Sequence, residues 1–120
     1  MKILVVDDDA AVRKFISVTL REAGHEVIEA ENGRMGIGKL QECRDIRLMI
    51  TDIIMPEKEG IETIMEVKRL FPSLKIIAIS GGGKVGPQSY LVLADAFGVD
   101  ATLAKPFNGQ ELLLCMDEIF

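Results

Sequence analysis

Five residues of this 120-residue chain have side chains suited to ion chemistry, and each closes or follows a short apolar run. Asp7 and Asp8 come directly after Ile3-Leu4-Val5-Val6, and Asp52 follows Leu48-Met49-Ile50 by two positions. Ser80 closes Ile76 to Ile79, and Lys105 follows Ala101 to Ala104. Two carboxylates about 4 Å apart repel by about 4 kcal/mol at an effective dielectric near 20. If the three aspartates converge, they must bind a cation, share a proton or lean on Lys105. A hard divalent ion with oxygen ligands is the natural solution. Mg²⁺ suits a small carboxylate set because it keeps several waters and accepts a phosphate oxygen.

Convergence depends on the elements. Ile3 to Val6 is a continuous β-branched run, the pattern of a strand buried on both faces. After Asp9, the residues Val12, Phe15, Ile16, Leu20 and Ala23 form a helical stripe, with Arg13, Lys14, Ser17 and Arg21 on the other side and Gly24 at its end. Val27-Ile28 reads as a short strand. Arg34 to Arg44 reads as a helix weakened by Gly36 and Gly38. Leu48 to Ile50 is a third strand. Ile61, Ile64 and Met65 mark a helix that Pro72 stops. Ile76 to Ile79 is the fourth strand, Tyr90 to Phe97 a helix closed by Gly98, and Ala101 to Ala104 the last strand. Asn108 and Glu111 resemble a capping box ahead of Leu112, Met116 and Ile119. Strands alternating with helices predict an α/β domain, a doubly wound five-stranded parallel sheet with five helices. In such sheets the ligand crevice lies beyond the carboxyl ends of the strands. All five polar residues fall there.

Composition narrows the class. The chain is one domain's length, with 48% apolar and 28% charged residues, so a disordered or collagen-like chain is excluded. No apolar run approaches the roughly 18 to 20 residues that span a bilayer, and the start does not resemble a secretory signal. Fourteen basic against 19 acidic residues, net -5, argue against gripping nucleic acid. Cys43 and Cys115 have no metal-like or redox-like spacing and read as small buried hydrophobes of a reducing, cytoplasmic compartment. Met65 and Met116 fall on helical stripes and read as core. His25 reads as a surface or packing residue, and Asp9 as the N-cap of the first helix.

Over its whole length the sequence resembles the receiver domain of two-component response regulators. The resemblance rests on Ile3-Leu4-Val5-Val6-Asp7-Asp8-Asp9, on Asp52-Ile53-Ile54-Met55-Pro56 with Gly60, on Ser80, and on Lys105-Pro106-Phe107. It implies the strand order 2-1-3-4-5. It also implies that Asp52 accepts a phosphoryl group from a sensor histidine kinase or phosphotransfer protein. Asp7, Asp8, Asp52 and the backbone carbonyl of Ile54 would hold Mg²⁺, while Lys105 and Ser80 would meet the phosphoryl oxygens. The Lys105-Pro106 bond would be cis. Such a stand-alone regulator would catalyse only its own phosphorylation and dephosphorylation, work as a monomer or weak homodimer, and signal by docking a downstream protein, with no role for nucleic acid or membrane.

Some positions depart from the family pattern. Glu57-Lys58-Glu59 replaces the usual methionine and aspartate, Ser80 the commoner threonine, and Gly81-Gly82-Gly83 follows it. Thr102 stands where many members carry a switching aromatic, so readout is expected to run through Ser80 and the glycine loop to the helix after it. Gly81, Gly83 and Gly86 also match a dinucleotide fingerprint, but Lys105 ends the next strand where a ribose-binding acid belongs. A flavodoxin-like carrier is disfavoured because Asp7-Asp8-Asp9 would repel a flavin phosphate. A receiver-shaped scaffold that takes no phosphate is disfavoured because all five positions keep usable chemistry.

Overall fold

Each apolar run becomes a strand, and each helical stripe among the described residues becomes a helix lying on the sheet. The computed structural model describes residues 1–53, 59–80 and 97–120. Strands β1 (Lys2–Val6), β2 (Glu26–Ala30), β3 (Ile46–Asp52), β4 (Lys75–Ser80) and β5 (Ala101–Ala104) pair in parallel, in the order β2-β1-β3-β4-β5. The described helices are α1 (Ala10–Glu22), α2 (Gly33–Glu42), α3 (Glu59–Leu70) and α4 (Gly109–Ile119). The helix expected over 90–97 lies outside the described residues except for Phe97, as does the Gly81-Gly83 loop.

Successive side chains of a strand point to opposite faces, so the central strands feed two cores. Ile3, Val5, Leu48, Ile50, Ile77 and Ile79 pack with α1 and α4 through Ile16, Leu20, Leu112 and Met116. Leu4, Val6, Met49, Ile76 and Ala78 pack with α2 and α3 through Leu40, Ile64 and Val67. Each fully buried Leu or Ile contributes about 1.5–3 kcal/mol. A one-residue slip would move every such residue to the wrong face, which pins the register. Asp52 accordingly sits opposite Ile79, and Ser80 opposite Ala104.

Helix ends follow local chemistry. The Asp9 carboxylate accepts from the N–H groups of Ala11 (2.9 Å) and Val12 (3.3 Å), capping α1. Gly24, at φ +92°, turns the chain out of α1 in a conformation that side chains resist. The Asn108 side chain accepts from Glu111 N–H at 2.8 Å while Glu111 accepts from Asn108 N–H at 3.1 Å, completing the capping box.

Four packing expectations need correction. Met65 is 52% exposed, because α3 buries Gly60, Thr63, Ile64 and Val67 instead. Phe15 is 42% exposed at the edge of the α1 stripe, its ring 6.0 Å from that of Phe107. Ser17, expected on the solvent side of α1, is fully buried. Cys43 is only half-buried, whereas Cys115 is buried, and both are free thiols. His25 is half-buried, with Nδ1 3.1 Å from the Met1 amine; burial and that charge push its pKa down.

Candidate functional site

The site is built where the parallel ladder continues one residue past three strands. Asp7 N–H donates to Ala30 O at 3.1 Å, Ile53 N–H to Ile79 O at 3.0 Å, and Lys105 N–H to Ser80 O at 2.7 Å. These bonds fix the backbone on which the polar side chains stand. Asp7, Asp8 and Asp52 each offer an oxygen within 4.8 Å of the others. Asp7 and Asp52 are buried, while Asp8 is exposed to solvent. Lys105 Nζ lies 2.8 Å from Asp52 Oδ2 and 3.7 Å from Asp7 Oδ2. Ser80 is fully buried at the end of β4. The Lys105-Pro106 bond is cis, as the resemblance implied.

Asp7 is the most constrained member. Its Oδ1 accepts from Asp9 N–H at 2.8 Å, and its backbone carbonyl accepts from Arg13 Nη1 at 2.7 Å. Arg13 is itself held by Glu29 at 3.2 Å. Oδ2 of Asp7 is buried with no hydrogen-bond partner among the described residues. Burial pushes the Asp7 pKa up to about 6; the Asp9 N–H opposes this, the Asp52 charge adds to it, Lys105 opposes it, and Asp8 adds. Burial also works against the Lys105 ammonium, but the hydrogen bond and charge of Asp52, with Asp7, raise its pKa above the ordinary lysine value.

An orphaned buried carboxylate oxygen beside two further carboxylates is a donor set that fits a hard, oxygen-seeking cation such as Mg²⁺. The side chains of Asp7, Asp8, Asp52 and Lys105 therefore converge, and Ser80 is joined to Lys105 through the backbone. The Ile54 carbonyl, Met55-Pro56 and Glu57-Lys58 lie outside the described residues. Thr102 is half-buried on β5.

Two supporting residues escaped the reading of side-chain types. Arg13 reads as a solvent-side residue of the α1 stripe, yet its position one turn into the helix that follows the aspartates brings it back onto the Asp7 carbonyl. Gly60 was noted only as part of a motif. A Cβ there would meet Ile53 Cα at 2.5 Å and the Asp52 carbonyl oxygen at 2.6 Å. The start of α3 thus presses on the backbone that carries Asp52.

Comparison with known proteins agrees with this geometry. Residues 3–117 match the family model described as the response regulator receiver domain. The chain is 34% identical over 123 residues to a chemotaxis protein CheY homolog of Campylobacter jejuni, covering 99% of this chain and 92% of the relative. It is 36% identical over 114 residues to the response regulator receiver protein CpdR of Brucella abortus, covering 93% and 90%. The crystallised chemotaxis protein CheY4 of Vibrio cholerae superposes with a TM-score of 0.86 at 30% identity, covering 99% of this chain and 98% of that one.

Proposed function

Because this chain belongs to the response regulator receiver family, a family of phosphoacceptors in two-component signalling, we propose that Asp52 is its acceptor. The donor is the phosphohistidine of a sensor kinase or phosphotransfer protein. A carboxylate oxygen of Asp52 attacks phosphorus, the new oxygen–phosphorus bond forms, and the phosphorus–nitrogen bond to the donor imidazole breaks. The observation that carries this reading is the convergence of the Asp7, Asp8 and Asp52 oxygens within 4.8 Å, with Lys105 Nζ 2.8 Å from Asp52.

Asp7, Asp8, Asp52 and the Ile54 carbonyl would hold Mg²⁺, which when bound supplies positive charge to the transferring phosphoryl oxygens. Lys105 adds a point charge on the other side, and Ser80 offers a hydroxyl to a phosphoryl oxygen. Three carboxylates, one ammonium and a divalent cation cancel, so an incoming dianion meets a neutral site. Catalysis is then mainly positioning and charge stabilisation. The chain acts on no other substrate, and its output is the docking of a downstream protein. With Thr102 in the aromatic position, the state of the site is read through Ser80 and Lys105, whose backbones are bonded at 2.7 Å.

Intact mass after incubation with a small phosphodonor and Mg²⁺ tests the reading. One phosphoryl group is expected on the parent chain, none without Mg²⁺ and none on Asp52→Asn, whose amide is a poor nucleophile. A full phosphoryl group on Asp52→Asn would sink it.

A further inference from the structure

A groove of about 900 Å³ lies at the end of the sheet opposite Asp52, where β3 and β4 begin. Six residue steps along β3 put it about 20 Å from the acidic cluster. Buried Ile46 and Leu74 form its floor, and Phe71 and Phe120 its sides. The Arg44 guanidinium lies 5.8 Å from the Phe71 ring centroid, and that of Arg47 lies 5.6 Å from the Phe120 centroid. Among the described residues neither guanidinium has a carboxylate partner. Lys75 adds a third cation, only loosely paired with Asp100 at 3.7 Å. In a chain of net charge -5, three cations thus line an apolar floor.

We propose that this groove docks an acidic polypeptide segment of a partner protein, with an apolar side chain on Ile46 and Leu74 and carboxylates on Arg44 and Arg47. Charge complementarity selects the occupant. A symmetric second copy would bring the same cations face to face, which costs affinity. A small ligand is usually enclosed over most of its surface, whereas here both arginines stand exposed on the rim. Arginine and aromatic side chains are also the types that carry most binding energy at protein interfaces. Stacking on the phenyl rings pre-positions each guanidinium, so less side-chain freedom is lost on docking. Because the groove is remote from Asp52, docking there engages none of the residues of the acidic site.

The test titrates a synthetic peptide alternating glutamate with leucine and phenylalanine into the isotopically labelled chain, following backbone amide shifts. Saturable shifts are expected around Ile46, Leu74 and Phe120. Affinity should fall at least tenfold in Arg44→Glu/Arg47→Glu, less in Arg44→Gln/Arg47→Gln, and with added salt. The amide spectrum itself reports whether each variant is folded. A lysine-for-glutamate peptide should not bind. The proposal is overturned by absent or non-saturable shifts, by shifts mapping elsewhere, or by equal affinity in the charge-reversed chain. It is also overturned if the groove residues instead drive self-association that the same substitutions abolish.

Discussion

Replacing Asp7 by asparagine should stabilise the chain in metal-free buffer at neutral pH, and the gain should grow with pH. The Asp7 carboxyl, 1% exposed, has a pKa raised from 3.8 to about 6, first by burial. Below pH 3.8 the group is protonated in both folded and unfolded chains, and the fold carries no penalty. Between there and pH 6 the unfolded chain ionises while the folded one holds its proton, so stability falls as pH rises through the folded pKa. At about 1.4 kcal/mol per pH unit, the full gap is about 3 kcal/mol by pH 7. Water and counter-ions at the mouth beside exposed Asp8 reduce this, and about 1–2 kcal/mol is the expected gain. Asparagine keeps an oxygen for the Asp9 N–H and gives up the 3.7 Å ion pair with Lys105, at a position where Oδ2 has no hydrogen-bond partner among the described residues. Denaturant unfolding of parent and variant from pH 4 to 7.5, in chelator, measures the difference. It should be near zero at pH 4 and correspond to roughly 4–8 °C in Tm at pH 7. Mg²⁺ should close the gap by stabilising the parent more, by about 2.7 kcal/mol at a hundredfold excess over Kd. A variant less stable than the parent at pH 7 without metal, or a difference that shrinks as pH rises, would refute the reasoning.

Four further outcomes are expected. Lys105→Ala leaves the buried Asp52 carboxylate without its 2.8 Å ammonium, so it should lose about 1–3 kcal/mol in denaturant unfolding while intact mass still shows slower phosphorylation at Asp52. Gly60→Ala forces the start of α3 away from Ile53 and should cost about 1–3 kcal/mol together with phosphorylation rate. Gly38→Ala, where nothing lies within 4 Å, should instead stabilise by about 0.5–1 kcal/mol, and equal thermal shifts for the two glycine variants would contradict the contact. Asn108→Ala removes the capping box of α4 and should cost about 1 kcal/mol by the same unfolding assay, with no change in phosphorylation.

What the sequence made legible was whatever depends on a short, regular pattern. Ile3 to Val6 reads as a buried strand because both faces of β1 are covered. Asp7, Asp8, Asp52, Ser80 and Lys105 were legible because parallel strands deliver their ends to one edge. β2 reads two residues long but spans Glu26–Ala30, because Glu26 and Glu29, on opposite faces of this edge strand, are paired with Lys2 and with Arg13. Met65 was misplaced because hydropathy ignores the two residues that α3 in fact turns inward, Gly60 and Thr63. Their smallness is the reason the helix can lie so close. The role of Arg13 was hidden for a different reason: its partner is the backbone carbonyl of Asp7, and no side-chain pattern announces a backbone acceptor.

The ladder bonds that run past the strand ends have a thermodynamic consequence. The amides of Asp7, Ile53 and Lys105 are tied to the carbonyls of β2, β4 and β4 respectively, so none of the three loops that carry the site can fray back to its strand without breaking sheet hydrogen bonds. Their exchange with solvent deuterium should follow the global unfolding of the sheet, not a local opening. The acidic cluster is therefore expected to open together with the strand ends that carry it. A chain that is folded holds its aspartates in place, and their mutual repulsion is stored against the cooperativity of the whole domain until a cation arrives to relieve it.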